Sequence, residues 1–191
     1  MSQVSVREPR PADRTWIRAV YRDYLFDLAP AATGLYPLLP EIGQRESDQS
    51  ERLFADTQAR VLTLCYGNDP VGFARISVRG VSEFSMADFF VARAWRRRGI
   101  GTQAVRLILD RFAGTWLITE HLRNEAAVKF WRRVVASYTA GQYQERIVNG
   151  EVQQRFVSGQ QRTRWPSFAS VYHGPAPAPD SAPSTIQAPR R

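Results

Sequence analysis

Apolar residues follow two periods along this chain, and the switches between them mark its elements. The opening "VSVREP" alternates as a short strand. After the breaker "PRPAD", Trp16, Ile17, Val20, Tyr21, Tyr24, Leu25 and Leu28 repeat at helical spacing, with Asp13 as the expected N-cap. "APAATGLYPLLPEIG" is dense in proline and glycine and reads as an ordered but irregular loop. A second helix is expected over Ser47 to Ala59. "RVLTLCYGNDPVGFARISVRG" then reads as strand, Gly-Asn-Asp-Pro turn and strand, an antiparallel hairpin. "FSMADFFVARA" has few exposed polar positions and predicts a strand near the middle of a sheet.

Beyond the glycines of "RRRGIGT", Ala104, Val105, Ile108, Leu109 and Phe112 share one helical face. "TWLITEHL" predicts another strand. Asn124 then caps a helix whose Ala127, Phe130, Trp131 and Val134 share a face. "QYQERIVNGEVQQRFV" closes the pattern as a hairpin around Asn149-Gly150, a strong two-residue turn signal. The chain shows no internal repeat. From His173 onward, "HGPAPAPDSAPSTIQAPRR" carries one large apolar side chain, Ile186. That is too little to offset the entropy of ordering, so residues 173–191 are expected to be a disordered tail.

Composition narrows the class. At 191 residues, 43% of them hydrophobic, the chain suits one domain with a sizeable core. The net charge is +8, and Lys129 is the only lysine among the cations. Two readings of that excess stay open: an anionic partner, which arginine binds in a bidentate way lysine cannot copy, or the codon usage of a high-GC genome. Cys65 is alone and the histidines are two, His121 and His173, so no disulfide and no metal site is expected. No apolar run approaches the ~18 residues of a membrane span, and "MSQVSVREPRPADR" lacks the apolar stretch of a signal peptide. A cytoplasmic protein is the expectation.

The chemistry concentrates where a strand ending near Val91 meets a helix beginning near Thr102. The first-turn amides of that helix have no partners within it, and with the helix dipole they attract anions. Gly99 and Gly101 remove the Cβ atoms that would hold a phosphate away, and Arg96, Arg97 and Arg98 supply charge. The run lacks the Gly-Lys-Ser/Thr ending of a nucleotide P-loop and the third glycine of a dinucleotide fingerprint, and it follows an antiparallel hairpin.

Two motifs in register carry a family resemblance. Arg96-Arg97-Arg98-Gly99-Ile100-Gly101 matches Arg/Gln-x-x-Gly-x-Gly/Ala after a strand ending in an aliphatic residue. "NEAAVKFW" matches Asn-x-x-Ala-x-x followed by an aromatic pair, with Asn124, Ala127, Phe130 and Trp131. On these the chain resembles the GCN5-related N-acetyltransferase (GNAT) superfamily over residues 4–160, and more narrowly a bacterial branch of predicted acetyltransferases. The resemblance implies an α/β (α+β) fold: a central, mixed but mostly antiparallel twisted sheet flanked by helices, its central strands splayed into an acyl-CoA cleft. The expected organisation is an N-acetyltransferase domain over residues 1–165 followed by the tail. Acetyl-CoA is the implied co-substrate, held by the amides around Arg97, Arg98, Gly99, Gly101 and Thr102, by free backbone groups of Val91 and by Asn124. The activity it implies is direct attack of a primary amine, on a small molecule or a protein or peptide, on the thioester.

The pattern breaks in one place. The second aromatic of the motif is often Tyr in the family, a donor of the proton to the departing thiolate; here it is Trp131, so that role does not carry over. Candidate bases are Glu83, Asp88 and Glu120, with Glu83 and Glu120 preferred. Strict alternation puts Glu83 on the face of Val91 and Asp88 on the other, and a single bulge reverses this. Tyr21, Tyr24, Asp27, Tyr36 and Glu41 form an aromatic, acidic set suited to a cationic amine. A cleft that binds acyl-CoA without turnover is the alternative, motivated by Trp131. Nucleic-acid binding through scattered arginines is disfavoured, no membrane partner is expected, and a homodimer is left open.

Overall fold

The computed structural model describes residues 3–28 and 53–159. The expected loop at 29–43, the first part of the helix expected at Ser47 to Ala59, and the tail lie outside the described residues. Of that helix, residues 53–55 are helical, and the chain turns into strand at Ala59.

Among the described residues, seven strands form one sheet in the order β1-β2-β3-β4-β5-β7-β6. They are β1 (Val4–Arg7), β2 (Ala59–Tyr66), β3 (Asp69–Gly80), β4 (Glu83–Val91), β5 (Thr115–His121), β6 (Gln144–Val148) and β7 (Glu151–Val157), and the helices are α1 (Pro11–Leu28), α2 (Ile100–Arg111) and α3 (Glu125–Thr139). The sheet is mixed: β4 and β5 run parallel and every other neighbouring pair is antiparallel. Helix α2 supplies the crossover that a parallel pair requires. The β6–β7 turn has Asn149 and Gly150 both at positive φ, 51° and 79°, the conformation that makes Asn-Gly a hairpin signal.

Each sheet face carries its own core. On one face, α2 and α3 bury Ile100, Ala104, Val105, Ile108, Leu109, Trp131, Val134 and Val135 against Leu62, Leu64, Ile76, Met86, Trp116 and Ile118. On the other, α1 packs Ile17, Tyr21, Tyr24 and Leu25 on Val61, Phe73 and Phe90. The helical spacing therefore selects the buried positions correctly in α1 and α2. In α3 the buried stripe is Val128, Trp131, Val134 and Val135, with Ala127 and Phe130 only partly covered.

Two helix starts differ from the expectation. Helix α1 begins at Pro11, so Asp13 lies in its first turn rather than at the cap. Its carboxylate reaches back to accept from the Arg10 N–H at 2.7 Å and is held by the Arg7 guanidinium. This is the returning half of a capping box, and proline suits the first helical position because its missing N–H is not needed there. Helix α2 begins at Ile100 rather than Thr102, because Gly99 takes φ 77° and turns the chain into the helix one residue on.

Candidate functional site

Two features of the middle strand build the site. The first is a divergence. β4 and β5 pair only from Glu83/Thr115 to Met86/Ile118. Beyond that, β4 stays on β3 and β5 stays on β7, so a gap opens between Ala87–Val91 and Thr119–His121. The second is a bulge. Arg75 pairs with Asp88 and Ile76 with Met86, leaving Ala87 as the extra residue.

The bulge resets the faces. Paired residues of antiparallel strands share a face, so Phe89 and Val91 lie with Phe84 and Met86 on the α2/α3 side. Glu83, Ser85, Asp88 and Phe90 lie on the α1 side. Strict alternation placed Glu83 with Val91; the extra residue at Ala87 reverses that, and Glu83 and Asp88 share the opposite face.

The edge of β4 facing the gap is open backbone. Ala92 N–H donates to Val71 O at 2.9 Å, which makes Gly72/Val91 a non-hydrogen-bonded pair. The N–H and C=O of Val91 therefore turn away from β3 into the gap, and those of Phe89, two residues earlier, do the same. The Val91 carbonyl is not free, however: Arg96 Nε donates to it at 2.7 Å. Gly72 permits the close approach of β3 here, since a Cβ on it would collide with the Phe90 carbonyl oxygen.

The glycine turn stands at the end of this edge. Gly99 caps α2 with no side-chain hydrogen bond, and the first intrahelical acceptance is Gln103 N–H to Gly99 O at 3.1 Å. The amides of Ile100, Gly101 and Thr102 thus precede the helical ladder. Arg97 has φ 64°, and Arg98 lies over the Trp95 ring at 5.1 Å; both are exposed. Arg96 is placed otherwise. Its guanidinium holds Asp27 as well as the Val91 carbonyl and lies over Phe90, and its N–H donates to Arg93 O at 3.2 Å. The first arginine of the motif fastens the end of α1 to the end of β4. A Cβ on Gly101 would point at Phe130, 3.4 Å away, and Phe89, 3.6 Å away. That glycine's bareness therefore also spares the stacked pair Phe89–Phe130, with ring centroids 5.7 Å apart.

Across the gap, Asn124 is the α3 cap, accepting from Ala127 N–H at 3.2 Å. Glu120 follows Trp116 and Ile118 on the α2/α3 face of β5, opposite buried Val152 of β7. Burial pushes its carboxyl up to about 7, the nearby Trp131 side chain pulling the other way. Spacing does not reveal this pairing, because Trp131 reaches Glu120 from another element.

The remaining sequence candidates are spent elsewhere. Asp88 is buried, accepts from the Tyr24 hydroxyl at 2.7 Å and is paired with Arg75. Tyr21 and Tyr24 belong to the α1 core, and Asp27 is paired with Arg93 and Arg96. The proposed aromatic, acidic acceptor set therefore does not assemble from these residues, and Tyr36 and Glu41 lie outside the described residues. A groove of about 640 Å³ opens instead on the α1 face of β4, β5, β7 and β6, with Arg79, Glu83, Leu117, Arg146, Gln153 and Arg155 in its lining. Among the described residues no group of His, Cys, Asp and Glu is arranged to hold a metal ion, and no helix is long and apolar enough to cross a membrane.

A family model described as acetyltransferase (GNAT) family matches residues 17–135. No curated protein matches the sequence. Among solved structures, the PaiA N-acetyltransferase of Thermoplasma acidophilum, in complex with coenzyme A, superposes with a TM-score of 0.59 at 10% identity, over 81% of this chain and 99% of that one. The spermidine N-acetyltransferase of Vibrio cholerae, in complex with CoA and spermine, does so with a TM-score of 0.55 at 12% identity, over 82% and 96%. The ribosomal-protein-S18-alanine N-acetyltransferase of Escherichia coli gives 0.52 at 12% identity, over 85% and 99%. At these identities the likeness is one of fold.

Proposed function

Since this chain belongs to the acetyltransferase (GNAT) family, we propose that it is an acetyl-CoA-dependent N-acetyltransferase acting on a primary amine. The observation that carries the reading is the gap beyond Met86/Ile118, one side of which is open β4 backbone leading to the bare N-terminus of α2. That arrangement fits the co-substrate: amides at one end for a diphosphate, and a strand edge for an amide-bearing arm. When bound, acetyl-CoA supplies an activated acetyl thioester. The amides of Gly101 and Thr102, with Arg97, Arg98 and Gly99 at the turn, hold the diphosphate. The Val91 N–H bonds the arm, and Asn124 meets it from the α3 side. The deeper Phe89 N–H is the donor to the thioester oxygen, a position in which one hydrogen bond is typically worth about 10²–10³ in rate. Arg96 does not touch the diphosphate but positions Val91.

Helices α2 and α3 cover one face of the gap, so the amine enters from the other, over the groove. Glu83 lies on that face and takes the surplus proton of the amine through water. Arg79, Arg146 and Arg155 outnumber Glu83 there, and the Glu145 side chain turns to the other face, where it meets Gln154 and is neutralised by Arg132. The charge balance favours an acceptor that carries an anionic group near its amine over a polyamine.

Calorimetry of acetyl-CoA binding, followed by thiol release with amino acids, aminoalkyl phosphates and polyamines, tests this. Binding with release from the anionic amines supports the whole reading, and binding with no release from any amine supports a cleft without turnover. Absence of binding refutes both.

A further inference from the structure

Glu120 is a carboxylate at the gap with no cation beside it among the described residues. It lies two residues beyond the last β4–β5 pair, against Trp131, on the face roofed by α2 and α3. Among the described residues, the charged groups on the elements around it are engaged, turned away or, like Arg123 and Arg133, exposed to solvent. On α3, Glu125 and Lys129 pair with each other at 3.0 Å, and Arg132 pairs with Glu145 at 2.7 Å. His121, next on β5, points to the opposite face and accepts from Arg123 N–H at 3.2 Å. On β7, Glu151, Gln153 and Arg155 share that opposite face, and the residues on the Glu120 side are Val152 and Gln154. β4 presents Phe89 and Val91.

Its place along the gap is decided by length. From Val91 to Ala87 is four residues of strand, about 13 Å at ~3.3 Å per residue. An extended arm of about that length, anchored at the α2 N-terminus, would end near the point of divergence, level with Thr119 and Glu120. The roofing helices leave the amine only the α1 face. A group on the roofed face is thus behind the thioester as seen from the amine, on the side of the leaving sulfur.

We propose that Glu120 is the proton donor to the sulfur that departs when the acetyl group is transferred, with Trp131 positioning its carboxyl. This rests on the acetyltransferase reading above. A nitrogen–carbon bond forms, the carbon–sulfur bond breaks, and the electron pair leaves with sulfur. The Glu120 O–H proton goes to that sulfur, the surplus proton of the amine leaves through Glu83 and water, and solvent reprotonates Glu120. A carboxyl held up near neutrality by burial keeps the protonated form available for this at physiological pH.

The test is Glu120→Gln, an isostere with no proton to give. CoA binding to the unsubstituted protein at pH 7.5, in buffers of different ionisation enthalpy, should take up part of a proton, because the arm removes more water from the carboxyl. The variant should bind CoA within about twofold but lose that uptake. Thiol release from acetyl-CoA should fall about 10²–10³-fold in the variant, within the usual range for a general acid. Acetyl transfer from p-nitrophenyl acetate, whose leaving group needs no proton, should stay within about threefold. Equal proton uptake in both proteins, or an equal loss with both acyl donors, overturns the assignment while leaving the acetyltransferase reading intact. No CoA binding to the unsubstituted protein overturns both.

Discussion

Glu120→Gln should make this protein more stable, by an amount that grows as pH rises from about 4.5 to about 7. The carboxyl titrates near 7 in the folded protein and near its ordinary 4.5 in the unfolded chain. Between those values the folded state binds more protons, so the contribution of this group to stability is fully present below about pH 4.5 and is lost as pH rises through about 7. At pH 8 nearly the whole shift is expressed. At ~1.36 kcal/mol per pKa unit, the half-buried charge then costs up to roughly 3 kcal/mol relative to a neutral side chain. At pH 5 the cost is below about 1 kcal/mol. For a domain of this size ~1 kcal/mol moves Tm by about 2–4 °C. Scanning calorimetry should therefore find the variant melting about 6–12 °C above the parent at pH 8, and within a few degrees of it at pH 5. A gap that is the same at both pH values refutes the reasoning, for it would mean that glutamine changed packing rather than removed a charge.

Other consequences follow from the same geometry. Gly101→Val puts two methyl groups between the first α2 amides and the Phe89–Phe130 pair; acetyl-CoA affinity should fall at least about tenfold while Tm drops by only a few degrees, and unchanged affinity by calorimetry would remove the turn from the site. Gly72→Ala forces a Cβ into the Phe90 carbonyl, so the β3–β4 pairing should weaken by about 1–3 kcal/mol, the usual cost of overpacking, read as a lower midpoint in urea. Truncation after His173 should leave Tm within about 1 °C, since the removed residues offer a single large apolar side chain; a large drop would show that they pack.

Much of the fold is written in short-range signals. The Asn149-Gly150 hairpin, the α2 stripe from Ala104 to Leu109 and the central place of β4 each follow from a dozen or fewer neighbouring residues. The two motifs that carry the family also lie in contiguous stretches, and their relative spacing along the chain is enough to recognise them. Helix starts were legible to within three residues, because Gly99 at the cap of α2 and Pro11 at the first position of α1 act through backbone conformation rather than side-chain type.

The sequence by itself thus determined which segments are strand or helix and where the anion-attracting turn lies, because hydrophobic period and turn chemistry act between near neighbours. Only the tertiary structure decided which side chains meet there. One extra residue at Ala87 inverted the faces of the strand before it, and a bulge is set by the register against β3, not by β4 alone. The Arg96 guanidinium meets Asp27, 69 residues away, a partner that no motif announces, because opposite charges brought within reach by folding outcompete solvent. Glu120 acquired its unusual titration from the packing around it, against the pull of Trp131, since burial belongs to the assembled protein and to no stretch of the chain.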